Sequence, residues 1–245
     1  MKRTEVRAPN LNPFSIWQRV DFIRLLNSFG HDTFTANFMN EQTIQHLSAA
    51  DRVLGRLIKK VGPCALKPEK KQSPFAALVE AVAHQQLTGK AAKTILGRVK
   101  ALYPRKKFPT PEDLLQTSDD LLRGAGLSRA KVAAIKDISA NTLSGVVPTS
   151  QAIARMDDAT IIERLTAIRG VGQWTVEMLL IFKLGRPDVL PVGDYGVRKG
   201  FALAYKRDEL PSPKELLEYG ERWRPYRTTA SWYMWRALDL ARRER

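Results

Sequence analysis

The run Leu165-Thr166-Ala167-Ile168-Arg169-Gly170-Val171-Gly172-Gln173-Trp174-Thr175 is the most informative stretch of this chain. Ile161, Ile162, Leu165 and Ile168 recur at helical spacing, and Asp157 stands where it can cap that helix. Gly170-Val171-Gly172 then turns the chain into a second helix. Glycines permit positive φ and let another backbone come close. The helix after the turn opens with amides that lack an intrahelical acceptor, from about Gly172 to Thr175, and such an end holds an anion such as a phosphate. On the glycine pattern alone, a phosphate clamp and an ordinary tight turn between packed helices fit equally well.

Working outward, the pattern from about Gln45 onward is helix after helix, with nothing that alternates like a sheet. Ser73-Pro74 is an N-cap followed by a proline at the first helical position, and Phe75, Leu78, Val79 and Val82 follow at helical spacing. Ser128 can cap a helix over 130–143, striped by Val132, Ile135 and Ile138. The stretch from Tyr226 to Arg243 reads as a long helix. Pro63, Pro104, Pro109, Pro148 and Pro187 fall between the helical segments, as breakers should. Leu122-Arg123-Gly124-Ala125-Gly126 echoes the glycine turn, although a C-terminal glycine cap explains it as well. Residues 1–44 lack this periodicity and read as an extension whose role the sequence does not reveal.

Charge narrows the partner. Forty Lys and Arg against 25 Asp and Glu give a formal net charge of +15 over 245 residues. Such an excess favours a polyanion, and nucleic acid ranks above a membrane surface because the basic residues are spread along the chain. No unbroken apolar run is longer than Met178 to Phe182, too short to cross a bilayer, and no secretory signal follows Met1. A single cysteine, Cys64, rules out an internal disulfide and a four-cysteine iron–sulfur or zinc site within one chain. Nothing points to an obligate oligomer, so a monomer is expected. A reducing compartment fits: cytoplasmic (the nucleoid) in a bacterium, nuclear in a eukaryote.

Four motifs in order then carry a resemblance. Leu165 to Thr175 resembles the helix–hairpin–helix motif of DNA glycosylases. Val189-Leu190-Pro191-Val192-Gly193-Asp194-Tyr195 is similar to that superfamily's Gly/Pro-rich loop ending in the catalytic aspartate. Ala83-His84-Gln85-Gln86-Leu87-Thr88-Gly89-Lys90-Ala91-Ala92 matches upstream, and Trp223-Arg224-Pro225-Tyr226-Arg227 through Trp235 matches downstream. The match spans residues 45–245, with the hairpin and catalytic loop at 157–200. The chain most resembles the alkyladenine branch, the 3-methyladenine DNA glycosylase II type, in its compact all-helical form. The fold this implies is all-α, two helical subdomains around a cleft.

The resemblance assigns roles. Asp194 is the expected catalytic carboxylate; by position alone it is equally an N-cap for the following helix, and the two roles are compatible. Breaking an N-glycosidic bond builds positive charge on the sugar, which a nearby carboxylate stabilises. Asp188 is the rival nearby, but the pattern selects Asp194. Trp174, Met178 and Trp235 are the expected base pocket, and an aromatic face attracts a cationic alkylated purine by about 0.5–2 kcal/mol. Trp235 reads equally as a core aromatic, and Trp232 reads first as one. Gln86 or Leu87 would fill the gap left by the flipped base, with Thr88 facing the minor groove; without the resemblance, Gln85 and Gln86 are a polar helix end. His84 reads as structural.

DNA contacts are expected from Gly170, Val171, Gly172 and Thr175 and from the basic residues Lys90, Lys93, Arg198 and Lys199. No cofactor is required for catalysis, and no iron–sulfur cluster is expected. The family often holds a monovalent cation on hairpin carbonyls, which here would be those of Thr166, Ile168 and Val171. Bifunctional relatives place a lysine where this chain has Trp174, so the resemblance implies a monofunctional enzyme acting on double-stranded DNA with damaged bases. Two other readings remain: a non-catalytic helix–hairpin–helix DNA-binding protein, and a bifunctional glycosylase/lyase for oxidised purines.

Overall fold

In the computed structural model, which describes residues 41–69 and 72–243, every regular element is helical. The first helix of the described residues, α1, runs Glu41–Ala50. Thr43 and Leu47 of α1 are buried, so residues 41–44 belong to the helical body; residues 1–40 of the expected extension lie outside the described residues.

The described residues form thirteen α-helices, and most of their starts follow local chemistry. α2 (Arg52–Val61) is capped by Asp51, α3 (Pro74–His84) by Ser73 and α4 (Gly89–Ala101) by Thr88. Threonine and serine caps likewise open α5 (Pro111–Gln116), α6 (Asp119–Gly124), α7 (Arg129–Leu143) and α8 (Ser150–Ala154). Asp157 caps α9 (Asp158–Thr166), as its position predicts. In each case a side-chain oxygen accepts from a backbone N–H that the helix leaves unpaired. α10 (Gln173–Leu179) differs: Gly172 stands at its N-cap without a side chain, and its far end widens into a π-helical turn, Leu180–Leu184. α11 (Tyr195–Ala204), α12 (Pro213–Gly220) and α13 (Arg227–Arg243) complete the order.

The helices pack in two groups. α1 and α2 come from the start of the described chain, yet they pack with α11, the 3₁₀ turn Glu221–Trp223 and α13. The central helices pack among themselves, α7 against α3, α5 and α6, and α10 against α3 and α9. The chain thus leaves one group, builds the other and returns. One continuous apolar core, from Leu47 through Leu78, Ile135, Leu165 and Leu180 to Trp235, runs through both. At about 25 cal/mol per Å2, burial of this apolar surface is the main term holding the groups together.

Two contacts fix the returning helices. Asp51 lies at the start of α2 and also accepts from Tyr205, from Tyr219 at 3.2 Å and from Trp223 Nε1 at 3.0 Å. Burial opposes its charge, but these donors outweigh burial and hold its carboxyl below the usual range. α11 meets α13 so closely at Gly200 that a Cβ there would stand 1.8 Å from the Met234 carbonyl oxygen. Only glycine allows that crossing, and it brings the middle of α13 onto the start of α11.

Candidate functional site

The seam between the two groups holds Asp194. Its side chain caps α11, Oδ1 accepting from the Val197 N–H at 2.8 Å. The same Oδ1 accepts from Trp235 Nε1 at 2.9 Å, and Oδ2 accepts from Trp174 Nε1 at 2.7 Å. Trp174 comes from α10 in the central group, whereas Trp235 comes from α13 in the returning one. Three N–H donors therefore converge on one carboxylate that is 8% exposed. The capping role and the site position coincide, as the sequence reading allowed.

The approach of Trp235 depends on Gly196, where a Cβ would lie 2.8 Å from the Trp235 ring and 3.0 Å from Asp194 Oδ1. Trp235 is 2% exposed and stacks on Phe182 with ring centroids 5.7 Å apart. It offers Asp194 its indole N–H, and its ring packs in the core. Trp174 is half-buried, and Met178, one turn further along α10, is buried. Trp232 is a core aromatic, as its first reading had it.

The loop leading to Asp194 is tied down by the motif that begins α13. Arg227 grips Asp188 with two nitrogens, Nε at 2.7 Å and Nη2 at 3.0 Å, and Arg224 adds a third contact at 2.7 Å. Thr228 Oγ1 accepts from the Val189 N–H and donates to the Arg186 carbonyl. Asp188 is thus committed to two arginines, unlike Asp194, whose partners are N–H groups.

The hairpin has the expected turn. Gly170 has φ +79°, and a Cβ on it would stand 2.6 Å from the Ala134 Cβ of α7. Gly172, extended and without a side chain, leaves the first amides of α10 uncapped. The open set is shorter than the sequence suggests, because the Thr175 N–H donates to the Gly172 carbonyl at 2.9 Å. The Thr175 side chain is also buried.

The segment after α3 adjoins this hairpin. Gln85 Nε2 donates to the Gly170 carbonyl at 2.9 Å. Gln86 is exposed and takes φ +59°, rare for a side chain other than glycine, while Leu87 is half-buried. Thr88 is exposed, but its hydroxyl already accepts from the Ala91 N–H as the cap of α4. His84 Nδ1 pairs with the Glu80 carbonyl within its own helix, the structural role read for it. Lys90 and Lys93 are exposed, Lys199 is half-buried, and Arg198 has its Nε engaged by the Pro211 carbonyl at 2.8 Å. No group of three or more His, Cys, Asp or Glu suited to a metal occurs among the described residues. No helix there is long and apolar enough to cross a membrane.

Sequence reasoning missed Glu177. It lies one turn beyond Trp174 on α10, is 5% exposed and accepts from Gln173 Nε2 at 2.9 Å. Burial, added to by the charge of Asp194, pushes its carboxyl up to about 7. The available signal was an acidic residue inside the apolar face Thr175 to Leu180. Lys131 was missed too: its Nζ donates to the Ala83 carbonyl at 2.8 Å, and burial lowers its ammonium to about 8.

With this geometry in place, the relatives can be set beside it. Residues 79–225 match the family model described as HhH-GPD superfamily base excision DNA repair protein. The chain is 40% identical over 199 residues to a DNA-3-methyladenine glycosylase 1 of Schizosaccharomyces pombe, covering 80% of this chain and 86% of that protein. A solved 3-methyladenine DNA glycosylase of the same yeast, in complex with abasic DNA, superimposes with a TM-score of 0.73 at 38% identity, covering 82% of this chain and 98% of that one. A DNA-3-methyladenine glycosidase from Bacillus halodurans gives a TM-score of 0.75 at 36% identity, over 84% of this chain and 93% of the other. A family match over more than half of the chain, agreement in fold and the hairpin, loop and carboxylate at the seam give one answer: this chain belongs to the HhH-GPD superfamily of base excision DNA repair proteins.

Proposed function

We propose that the chain is a monofunctional DNA glycosylase of the 3-methyladenine glycosylase II type. It flips alkylated purines, 3-methyladenine-like and 7-methylguanine-like, out of duplex DNA, hydrolyses the N-glycosidic bond and leaves an abasic site. The observation that carries this reading is Asp194, held between Trp174 and Trp235 at the seam beside the hairpin helix.

The chemistry follows from charge. A cationic alkylated base leaves with the glycosidic electron pair and becomes neutral, so no general acid is needed. Positive charge moves to the sugar, and water adds to C1′ and gives up a proton. Asp194 stabilises the sugar cation and orients that water. A fixed carboxylate does this at little reorganisation cost, because its N–H partners and the Arg227–Asp188 clamp already hold it in place. Trp174 stands where bifunctional relatives carry a lysine, so no amine is placed there to attack the sugar.

Binding is divided among three parts. The uncapped amides of α10 take a backbone phosphate, a contact blind to sequence. Gln86 or Leu87 enters the gap left by the flipped base, and the exposed Lys90 and Lys93 meet phosphates. The hairpin carbonyls of Thr166, Ile168 and Val171 suit a hard monovalent cation, being oxygen donors only. The Ile168 carbonyl accepts the Val171 N–H and keeps a second lone pair. Such an ion would brace the turn and take no part in the chemistry.

The test is base release from alkylated duplex DNA by wild type and by Asp194→Asn, with and without alkali treatment. Asparagine still caps a helix, so the variant folds and binds. Wild type releases the base, the variant loses at least about a hundred-fold in rate, and strands break only after alkali. Near-normal release by the variant sinks the role of Asp194. Breakage without alkali makes the enzyme a lyase, and DNA binding without release from any alkylated substrate makes it a binding protein.

A further inference from the structure

Two loops that come from distant parts of the chain are fastened to each other on this surface. Gln85, in the segment between α3 and α4, donates its amide N–H to the carbonyl of Gly170 in the hairpin at 2.9 Å, across 85 residues of sequence. Helix α7 braces the same pair from behind. Lys131 Nζ holds the Ala83 carbonyl at the end of α3 at 2.8 Å, Ala134 packs under Gly170, and Asp137 Oδ2 accepts from the Arg169 N–H at 2.8 Å. These three residues are spaced three apart on one side of α7, so one rigid helix sets the spacing between both loops. Gln86 is meanwhile held at φ +59°, a conformation that persists only where its surroundings impose it.

The Gln85 bond lies at the surface, where an exposed hydrogen bond adds little to fold stability because water can replace it. Its value is mechanical. A side chain pushed into a base stack meets a restoring force, because unstacking is costly. A loop free to retreat would yield before the DNA did. A loop fastened to an element that is itself fixed on a phosphate cannot retreat without moving that phosphate contact.

We propose that Gln85 is a positioning residue that locks the wedge segment Gln86-Leu87 to the hairpin, so that flipping draws its support from the phosphate contact. This rests on the glycosylase reading above. Gln85 touches neither the base nor the sugar in this scheme; it acts through Gln86 and Leu87.

The experiment uses the full chain and Gln85→Leu, which keeps the bulk and removes the amide. Single-turnover release of 7-methylguanine at saturating enzyme is measured in two duplexes. In one the lesion faces cytosine; in the other it faces an abasic analogue, where less pairing opposes flipping. The variant should be about five-fold slower opposite cytosine, the loss of roughly one hydrogen bond, and less than about two-fold slower opposite the abasic analogue. Asp137→Ala, which breaks the α7 brace instead, should show the same dependence on pairing. Equal slowing in both duplexes would mean a general structural defect, and unchanged rates in both would mean the bond bears no load; either result overturns the proposal. Failure of the wild type to release the base from either duplex would strike the glycosylase reading itself, and the proposal with it.

Discussion

Two similar five-residue glycine turns occur among the described residues, and they hand the chain to the next helix differently. In Leu122-Arg123-Gly124-Ala125-Gly126, the second glycine takes φ +108° and packs against Ile95. The chain then spends Leu127 and Ser128 before α7 begins, and the serine hydroxyl accepts from the Lys131 N–H. In Ile168-Arg169-Gly170-Val171-Gly172 the positive φ falls on the first glycine, and α10 follows Gly172 directly with no side-chain cap. One turn is followed by a helix with a side-chain cap, whereas the other leaves the first amides of α10 uncapped, as the proposed phosphate contact requires.

The largest effect should come from the glycines themselves. Gly170→Ala places a side chain at φ +79° and drives its Cβ to 2.6 Å from Ala134, inside a packed helix. The cost should be roughly 3–4 kcal/mol, read by urea denaturation, with loss of duplex binding. Gly126→Ala meets the half-buried Ile95 side chain at 2.9 Å, which can turn away, so about 1–2 kcal/mol and unchanged binding are expected. Equal losses at the two glycines would erase the distinction.

The helices after the turns differ next. Counted from the helix start, α7 carries Ala133 where α10 carries the buried Glu177. Burial raises the Glu177 carboxyl from 4.5 to about 7. Between these values the folded chain keeps a proton that the unfolded chain has released. Its stabilising contribution is therefore complete below about pH 4.5 and is lost as pH rises through about 7, by roughly 3 kcal/mol in all. Glu177→Gln should flatten this slope, so that its melting temperature relative to wild type is higher at pH 8 than at pH 5. Parallel pH profiles for the two proteins would show that Glu177 ionises freely.

The smallest effect is the sharpest on the comparison. Gly172 is extended and a Cβ there meets nothing within 4 Å, so Gly172→Ser should fold. Its hydroxyl would cap α10 as Ser128 caps α7, competing with phosphate for the same amides. DNA affinity should fall about three- to ten-fold while stability holds or rises by about 0.5 kcal/mol. Ser128→Ala should do the converse, costing about 1 kcal/mol with affinity unchanged. Tighter binding by Gly172→Ser, in a salt titration, would mean that the amides are not where phosphate docks.

Much of this was legible in the chain because it is local. Ser73, Ser128 and Asp157 cap the helices they precede, since a cap is chosen by the next three residues. The hairpin glycines and Asp194 were legible as a turn and an N-cap for the same reason, and their expected roles came from the resemblance carried by four motifs in order. The helical turn Glu41 to Ile44 was missed because it shows too little apolar periodicity; Thr43 is buried by packing, not by pattern.

The sequence by itself determined the caps of several helices, that the chain is strongly basic, and which carboxylate stands at the end of the loop. Tertiary structure alone decided what surrounds that carboxylate. Trp174 and Trp235 reach Asp194 from opposite directions along the chain, and the second arrives because glycine at 196 and 200 lets α13 come close. Likewise, only the fold turned Gln85 toward Gly170 and buried Glu177. The physical reason is range: capping and periodicity act within a few residues, whereas the choice of which helix faces meet depends on packing among segments tens of residues apart.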